Sequence, residues 1–148
     1  MTSEKLSPEV RRIVRRARIT SAVVGVILSP IPLADELVLL PVYGLMSDRI
    51  GKHYGLPTSE IPWRPIIWTT CAGLAARAAI NLTVSFIPGV AAVANAASAA
   101  ALTQLLGRYV DAACKNPAGT RVLSMRDFAN QFRDMKAGVP VNRPESAA

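Results

Sequence analysis

Two proline-containing turns constrain the fold of this chain more than any other sequence feature. The motifs Ser29-Pro30-Ile31-Pro32 and Ser85-Phe86-Ile87-Pro88 lie 56 residues apart, and each interrupts a long apolar segment. Proline cannot continue a preceding helix, and its fixed φ suits the first turn of the next one. Each motif therefore predicts a helical hairpin, with Pro30 and Pro32 at the first turn and Pro88 and Gly89 at the second.

The same shift of 56 residues aligns a second pair of motifs. Gly51-Lys52-His53 falls on Gly107-Arg108-Tyr109, so each half reads as an apolar helix, a Ser-x-Ile-Pro turn, a second apolar helix and a glycine followed by a basic residue. A fixed internal period is typical of duplicated supersecondary units. We interpret the halves as two related αα-hairpins; chance similarity between two hairpins of similar composition is the alternative.

Helix signals outside the turns predict an all-α fold. Ser7-Pro8-Glu9 has the features of a helix start: a hydroxyl cap, a proline at the first helical position and an acid near the positive end of the dipole. A second helix is expected from about Leu33 to Tyr54, with a kink or restart near Pro41. After a connector over 58–65, apolar runs predict helices over 66–86 and 90–106, and the sequence 124–127 resembles a capping box.

We therefore expect two antiparallel helical hairpins packed side by side, forming a pseudo-repeat with amphipathic segments at both ends. The expected boundaries are a basic amphipathic N-terminal helix start over 1–18, the double helical-hairpin domain over 19–117, a C-terminal amphipathic helix over 118–137 and a disordered tail over 138–148.

The charge distribution indicates what the ends of the chain can bind. The formal net charge is +7: residues 1–18 hold six basic residues against two acidic ones, residues 19–114 hold five against five, and residues 115–148 hold six against three. Basic ends suit anionic lipid headgroups, at roughly 1 kcal/mol per basic residue near the surface. Nucleic acid is disfavoured because no aromatic platform accompanies the charge. The predicted membrane-surface residues are Arg11, Arg12, Arg15, Arg16 and Arg18.

The middle of the chain is apolar enough to require a partner that covers it. Hydrophobic residues make up 51% of the chain and charged residues 18%. Ile66–Phe86 has 21 residues with one charge, the length of a membrane-crossing helix, whereas Ile19–Leu28 offers ten residues, about half a bilayer. Shallow or re-entrant insertion, or burial in protein, therefore fits the first hairpin better than a full crossing.

The one charge inside the most apolar run needs a partner. Arg77 interrupts Ile66–Phe86, and an ionised group in such a segment either pairs or reaches water. Asp35 and Glu36 in the other hairpin are available, so we predict a buried ion pair between Arg77 and one of them. The alternative is an arginine that extends along its helix to an aqueous edge.

Catalysis is not signalled. The one histidine, His53, stands at an expected helix end and is interpreted as solvated, while Cys71 and Cys114 have no spaced histidine partner and are interpreted as small buried apolar residues. Asp35 and Glu36 are adjacent and point about 100° apart on a helix, which disfavours a paired-carboxylate mechanism. We expect no enzyme activity, no cofactor and no metal site.

The turn and ending motifs resemble one known family. The Ile31-Pro32-Leu33-Ala34-Asp35 turn, the Ile87-Pro88-Gly89-Val90 turn and the Gly-basic endings over about 19–114 are similar to the YcjF-like family of uncharacterised bacterial proteins. The resemblance implies a helical, membrane-associated module that works with a separate GTPase. This chain departs from the family in lacking a glycine after Pro32, and it has no phosphate-binding loop of its own.

These features predict a non-catalytic, membrane-associated scaffold on the cytoplasmic side of the inner membrane, peripheral or integral, with its basic ends on anionic lipid. Phe128, Phe132 and Met135 share one face of the expected C-terminal helix and are predicted to meet a protein partner or a second copy. The main alternative is a soluble cytoplasmic homo-oligomer that buries its hairpins between subunits. A lipid carrier is a third hypothesis, without dedicated polar residues to support it.

Overall fold

The computed structural model describes residues 6–28, 34–84, 91–116, 122–124, 126–127 and 130, and within them the fold is all-helical, as predicted. The four helices are α1 (Pro8–Ile27), α2 (Ala34–His53), α3 (Trp63–Val84) and α4 (Ala91–Lys115). The turn residues Pro30, Pro32, Pro88 and Gly89 lie outside the described residues.

The start of α1 is formed by the predicted cap. Ser7 is the N-cap and its Oγ accepts a hydrogen bond from Val10 N at 3.3 Å, while Pro8 occupies the first helical position. The helix is continuous from its arginine-rich start into the apolar stretch that follows. The arginine-rich half and the apolar half of α1 therefore lie along one helix axis.

The second and third helices differ from expectation in detail. α2 is assigned as one helix through Pro41, so the alternative of a restart is not observed; Pro41 lies on the exposed side. The helix ends at His53, and the turn that follows contains Gly55, whose φ of +74° is the left-handed conformation that glycine adopts without strain. α3 begins at Trp63, three residues earlier than predicted, because Pro65 lies in the first turn where its missing N–H is not needed.

Successive helices run antiparallel, and α4 contacts each of the other three, α1 most extensively. Three contacts give the α1/α4 register: Asn95 Nδ2 donates to Gly25 O at 2.9 Å, Arg18 Nη1 donates to Gln104 Oε1 at 3.2 Å, and Gly107 lies against Val14. The end of α1 therefore lies beside the start of α4.

Glycine permits the close approach of α1 and α4. A Cβ on Gly25 would lie 3.1 Å from Asn95 O, and a Cβ on Gly107 would lie 2.5 Å from a methyl carbon of Val14. The alanine-rich first half of α4 has equally small side chains at this interface. This close packing agrees with the small-residue composition, which lets helix backbones approach in lipid or in water.

The two hairpins bury equivalent positions. In α2 and α4, residues 56 apart are buried in the same phase: Leu39, Tyr43, Met46, Ser47, Ile50 and Gly51 correspond to Asn95, Ala99, Leu102, Thr103, Leu106 and Gly107. The helix pairs α1/α2 and α3/α4 also both pack together. The arrangement is compatible with two hairpins, and their descent from one repeated unit stays a prediction.

The expected capping box follows α4. Ser124 N donates to Asp127 Oδ2 at 2.7 Å, and Asp127 N donates in return to Ser124 Oγ at 3.3 Å. Leu123 N donates to Thr69 Oγ1 at 3.2 Å, which ties this segment to α3. The predicted partner residues Phe128, Phe132 and Met135, and the tail over 138–148, lie outside the described residues.

Candidate functional site

A buried charged network joins all four helices near the end where α1 finishes and α2 begins. Arg77 on α3 is 0% exposed, and its Nη1 lies 2.6 Å from Glu36 Oε1 on α2. The predicted ion pair is therefore present with Glu36. The side chain of Asp35, the other predicted partner, lies outside the described residues.

Residues of α4 and α1 complete this network. Arg77 Nε donates to Ser98 Oγ at 3.2 Å, and its Nη2 donates to both the backbone oxygen and the side-chain oxygen of Asn95. Asn95 Nδ2 in turn donates to Gly25 O at 2.9 Å. Buried charges are tolerated when they are paired and hydrogen-bonded, and each of the three guanidinium nitrogens of Arg77 donates to an acceptor here.

The sequence prediction named neither Asn95 nor Ser98 as a partner of Arg77. They are the only polar side chains between Ala91 and Ala101, and they lie three residues apart on one face of α4. That isolation is the signal that could have identified them. Hydroxyl-bearing residues continue the polar interior: burial raises the pKa of Tyr43 to about 12, opposed by Thr103, by the charge of Arg77 and by Ser21.

A second polar cluster lies at the opposite end of the bundle. Tyr54 Oη donates to Asp111 Oδ1 at 2.5 Å, and Lys115 Nζ lies 3.2 Å from Asp111 Oδ2. Burial, and then donation to Asp111, raises the pKa of Tyr54 to about 12. Asp111 is 5% exposed, because Tyr54 and Lys115 cover it.

The candidate reactive residues, His53, Cys71 and Cys114, differ in exposure, and no two of them are paired with each other among the described contacts. His53 is exposed, and its Nε2 lies 3.2 Å from Ser7 Oγ. Cys114 is buried, and burial raises its thiol pKa to about 11. Cys71 is exposed, so its expected burial is wrong: it lies on the side of α3 that faces away from α4. Among the described residues, no group of three or more His, Cys, Asp or Glu side chains is placed to hold a metal ion.

The surface is divided along the bundle axis. We define the tip as residues 19–28, 36–47, 72–79 and 92–103, and the base as residues 6–18, 48–71 and 104–116. The antiparallel helices bring these segments to opposite ends. Among the described side chains of the tip, the charged ones are Glu36 and Arg77, which are paired with each other in the interior. Asp35 precedes Glu36 on α2, and its side chain lies outside the described residues.

The described exposed side chains of the tip are uncharged and mostly apolar. Its exposed large hydrophobic residues include Ile27 at 67%, Leu37 at 72% and Val93 at 71%. The full set of those described is Ile19, Val23, Val26, Ile27, Leu37, Val38, Leu40, Leu45 and Val93. Two further exposed apolar residues, Ile67 and Trp68, lie about one turn into α3 and therefore belong to the base.

The base carries the exposed charge. All five predicted membrane-surface residues are on the exposed face of α1, and Arg12 forms an exposed ion pair with Glu9 at 3.3 Å. Further basic residues at this end come from every other helix or its flanks: Arg49, Lys52, Arg64, Arg108 and Lys115. The division between basic base and apolar tip is a property of the folded bundle, because the described exposed charged side chains of the four helices all lie on their base segments.

The depth of the apolar part is limited. From Ile19 to Leu28, α1 and its cap rise about 15 Å, which equals about one leaflet of hydrocarbon. None of the described helices combines the length and hydrophobicity that a complete bilayer crossing requires. The run over 66–86, whose length predicted a crossing segment, includes the buried ion pair of Arg77.

Comparison with known proteins gave no relationship: no protein-family model, no curated protein and no solved structure matches this chain.

Proposed function

We propose that this chain is a non-catalytic, membrane-associated scaffold module that inserts its tip shallowly into the cytoplasmic leaflet of the inner membrane and holds its basic base among anionic headgroups. One observation carries the proposal: the exposed side chains are sorted along the axis of the bundle, with large apolar residues around the tip and arginine and lysine around the base. A soluble monomer rarely exposes so much contiguous apolar surface without a partner.

The energetics favour lipid as that partner. Full burial of a Val, Leu, Ile or Phe side chain is worth about 1.5–3 kcal/mol, so covering the half-exposed tip residues contributes on the order of 10 kcal/mol before the cost of association. Each arginine near an anionic surface adds roughly 1 kcal/mol. Together these terms support stable but shallow attachment.

The buried ion pair fits the same proposal. A charge at the bilayer centre costs about 2.5–3.5 kcal/mol, and the two charged side chains described in the tip avoid this cost by facing each other inside the bundle. Among the described residues of the tip, the exposed side chains that would meet lipid are therefore uncharged.

Insertion depth can be measured with an environment-sensitive fluorophore on a single cysteine. In a Cys71→Ser background, with Cys114 buried, Val26→Cys places the label at the tip and Lys52→Cys places it at the base. We expect vesicles containing phosphatidylglycerol to move the emission of the tip label strongly toward that of an apolar environment. The base label is the matched control and should change little.

Centrifugation of cell membranes separates the modes of attachment. We expect the wild-type protein in the membrane fraction, with high-salt and carbonate washes distinguishing peripheral from inserted protein. The proposal fails if the protein is recovered entirely as a monodisperse species in plain buffer and neither label responds to vesicles.

The same exposed tip residues also favour a second candidate function, a soluble homo-oligomer in which tips bury against each other. A stable oligomer whose mass and tip-label emission are unaffected by vesicles would establish this alternative. The resemblance to the YcjF-like family adds a further proposed partner, a separate GTPase chain, because this sequence contains no phosphate-binding loop.

A further inference from the structure

A groove between α1 and α4 combines a basic head with an apolar floor. On α1, Arg11, Arg15, Arg18 and Ala22 follow one another at intervals of three or four residues and so share one face. Arg18 Nη1 donates to Gln104 Oε1 at 3.2 Å, which shows that this face borders α4. The arginines lie on the base side of that contact, and Ala22 lies on the tip side.

On α4, the residues that face this side of α1 also change from basic to apolar in the direction from base to tip. Arg108 precedes Gln104 from the base, and Ala101, Ala97 and Val93 follow it toward the tip at helical spacing. Ala97 is exposed, Ala101 is half-exposed and Val93 is 71% exposed. The side chains that border the outer edge of this helix pair are small on both helices, and Val26 at 52% exposed and Val93 flank its far end.

The arginines of the groove are available to a ligand. Arg15, Arg18 and Arg108 are exposed, and none of the three forms an ion pair with an acidic residue of the described segments. The contact with Gln104 uses a neutral acceptor and positions the Arg18 guanidinium at the boundary between the basic and apolar parts. Guanidinium groups bind phosphate through paired N–H donors.

We propose that this groove binds one anionic phospholipid, with its phosphate on Arg15, Arg18 and Arg108 and one acyl chain along Ala22, Ala97 and Ala101. This inference rests on the proposed membrane function and adds a defined lipid site to it. Charge complementarity selects the occupant, because a ligand with an anionic head and an apolar tail matches both parts. The stretch from Arg18 to Ile27 spans about 13 Å, close to the thickness of one leaflet.

Paired arginine variants test the head of the site. Arg15→Gln with Arg18→Gln removes two charges from the groove, and Arg12→Gln with Arg16→Gln removes two charges from the adjacent exposed face of the same helix. We expect the groove variant to bind phosphatidylglycerol-containing vesicles about tenfold more weakly than the control variant in flotation assays. Equal weakening of both variants would overturn the site and leave general electrostatic attachment intact.

A phenylalanine placed in the groove tests the apolar part. We expect the wild-type protein, extracted from membranes in mild detergent, to retain one phospholipid in native mass spectrometry, and Ala97→Phe to lose it. Ala75→Phe adds the same side chain to the exposed face of α3 and should retain the lipid. Retention by Ala97→Phe, or no retained lipid in the wild type, would overturn the proposal.

The vesicle assay also distinguishes failure of the lipid site from failure of the proposed membrane function. A wild-type protein that floats with vesicles but shows none of these differences contradicts the groove alone, whereas one that does not float contradicts the proposed membrane function. Thermal stabilisation of the detergent-extracted protein by inorganic phosphate equal to that by short-chain phosphatidylglycerol would identify a simple anion site and overturn the phospholipid assignment.

Discussion

At the scale of single residues, Arg77 has the most consequential environment in this protein. Its guanidinium is fully buried, pairs with Glu36 and donates to Asn95 and Ser98, so four side chains from three helices depend on one another. Removing one partner of a buried pair leaves an uncompensated charge, and that penalty exceeds the net value of the pair itself.

Replacing Arg77 alone should therefore destabilise the fold more than replacing Arg77 and Glu36 together. We expect Arg77→Leu to lower the free energy of unfolding by about 3–5 kcal/mol, and Arg77→Leu with Glu36→Leu to recover a large part of that loss. Denaturant titration followed by circular dichroism measures both values. Unchanged stability in the single variant would show that Arg77 reaches water instead.

The tyrosines provide a pH-dependent readout of the interior. Burial is the main cause of the raised pKa of all three, to about 12 for Tyr43 and Tyr54. The unfolded chain loses these protons near the ordinary value of 10, so the stabilising contribution is complete below that pH and is lost as pH rises toward 12.

We accordingly expect phenolate absorbance to appear only well above pH 10, together with loss of helical signal. Tyr54→Phe should remove one of the phenolate transitions and reduce the alkaline loss of stability. Titration of all tyrosines at their ordinary pKa in folded protein would contradict the buried positions of Tyr43 and Tyr109.

At the scale of secondary structure, the α1/α4 pair organises the bundle. The two helices approach closely because Gly25 and Gly107 lie where a side chain would collide with the partner helix. The prediction of helices from periodicity and proline succeeds here, since local spacing determines which face of a helix is apolar. Periodicity does not determine which helix covers that face.

One glycine substitution tests this interface, and a second, on α2, is its control with the opposite expected sign. Gly107→Ala would bring a methyl group to 2.5 Å from Val14 and should destabilise the protein by about 1–3 kcal/mol. Gly44→Ala meets nothing within 4 Å and should stabilise it by up to about 1 kcal/mol through helix propensity. Midpoints of urea unfolding give both changes; stabilisation by Gly107→Ala would contradict the close packing.

At the scale of the whole molecule, the separation of the apolar tip from the basic base is the property on which the proposed function depends. The sequence contains both kinds of segment in alternation. The antiparallel fold collects the exposed apolar side chains of α1, α2 and α4 at one end and the exposed charged side chains of the four helices at the other.

One charge at the tip should abolish membrane binding without unfolding the protein. Val26 is 52% exposed, so Val26→Glu should leave the thermal midpoint nearly unchanged. A carboxylate in the hydrocarbon costs about 2.5–3.5 kcal/mol, which predicts a loss of vesicle binding of roughly a hundredfold. Ser59→Glu adds the same charge to the exposed base as a control; equal binding of the two variants would contradict tip insertion.

The sequence by itself determined the local structure: the Ser7 cap, the helices, the capping box at Ser124, and the need of Arg77 for an internal partner. These follow from propensities, spacing and desolvation, which act over a few residues. Tertiary structure alone decided that Asn95 and Ser98 join Arg77, that Cys71 faces outward and that Asp111 is covered. Those outcomes depend on the register in which helices pack, and register is set by side-chain contacts between segments that are distant in the chain.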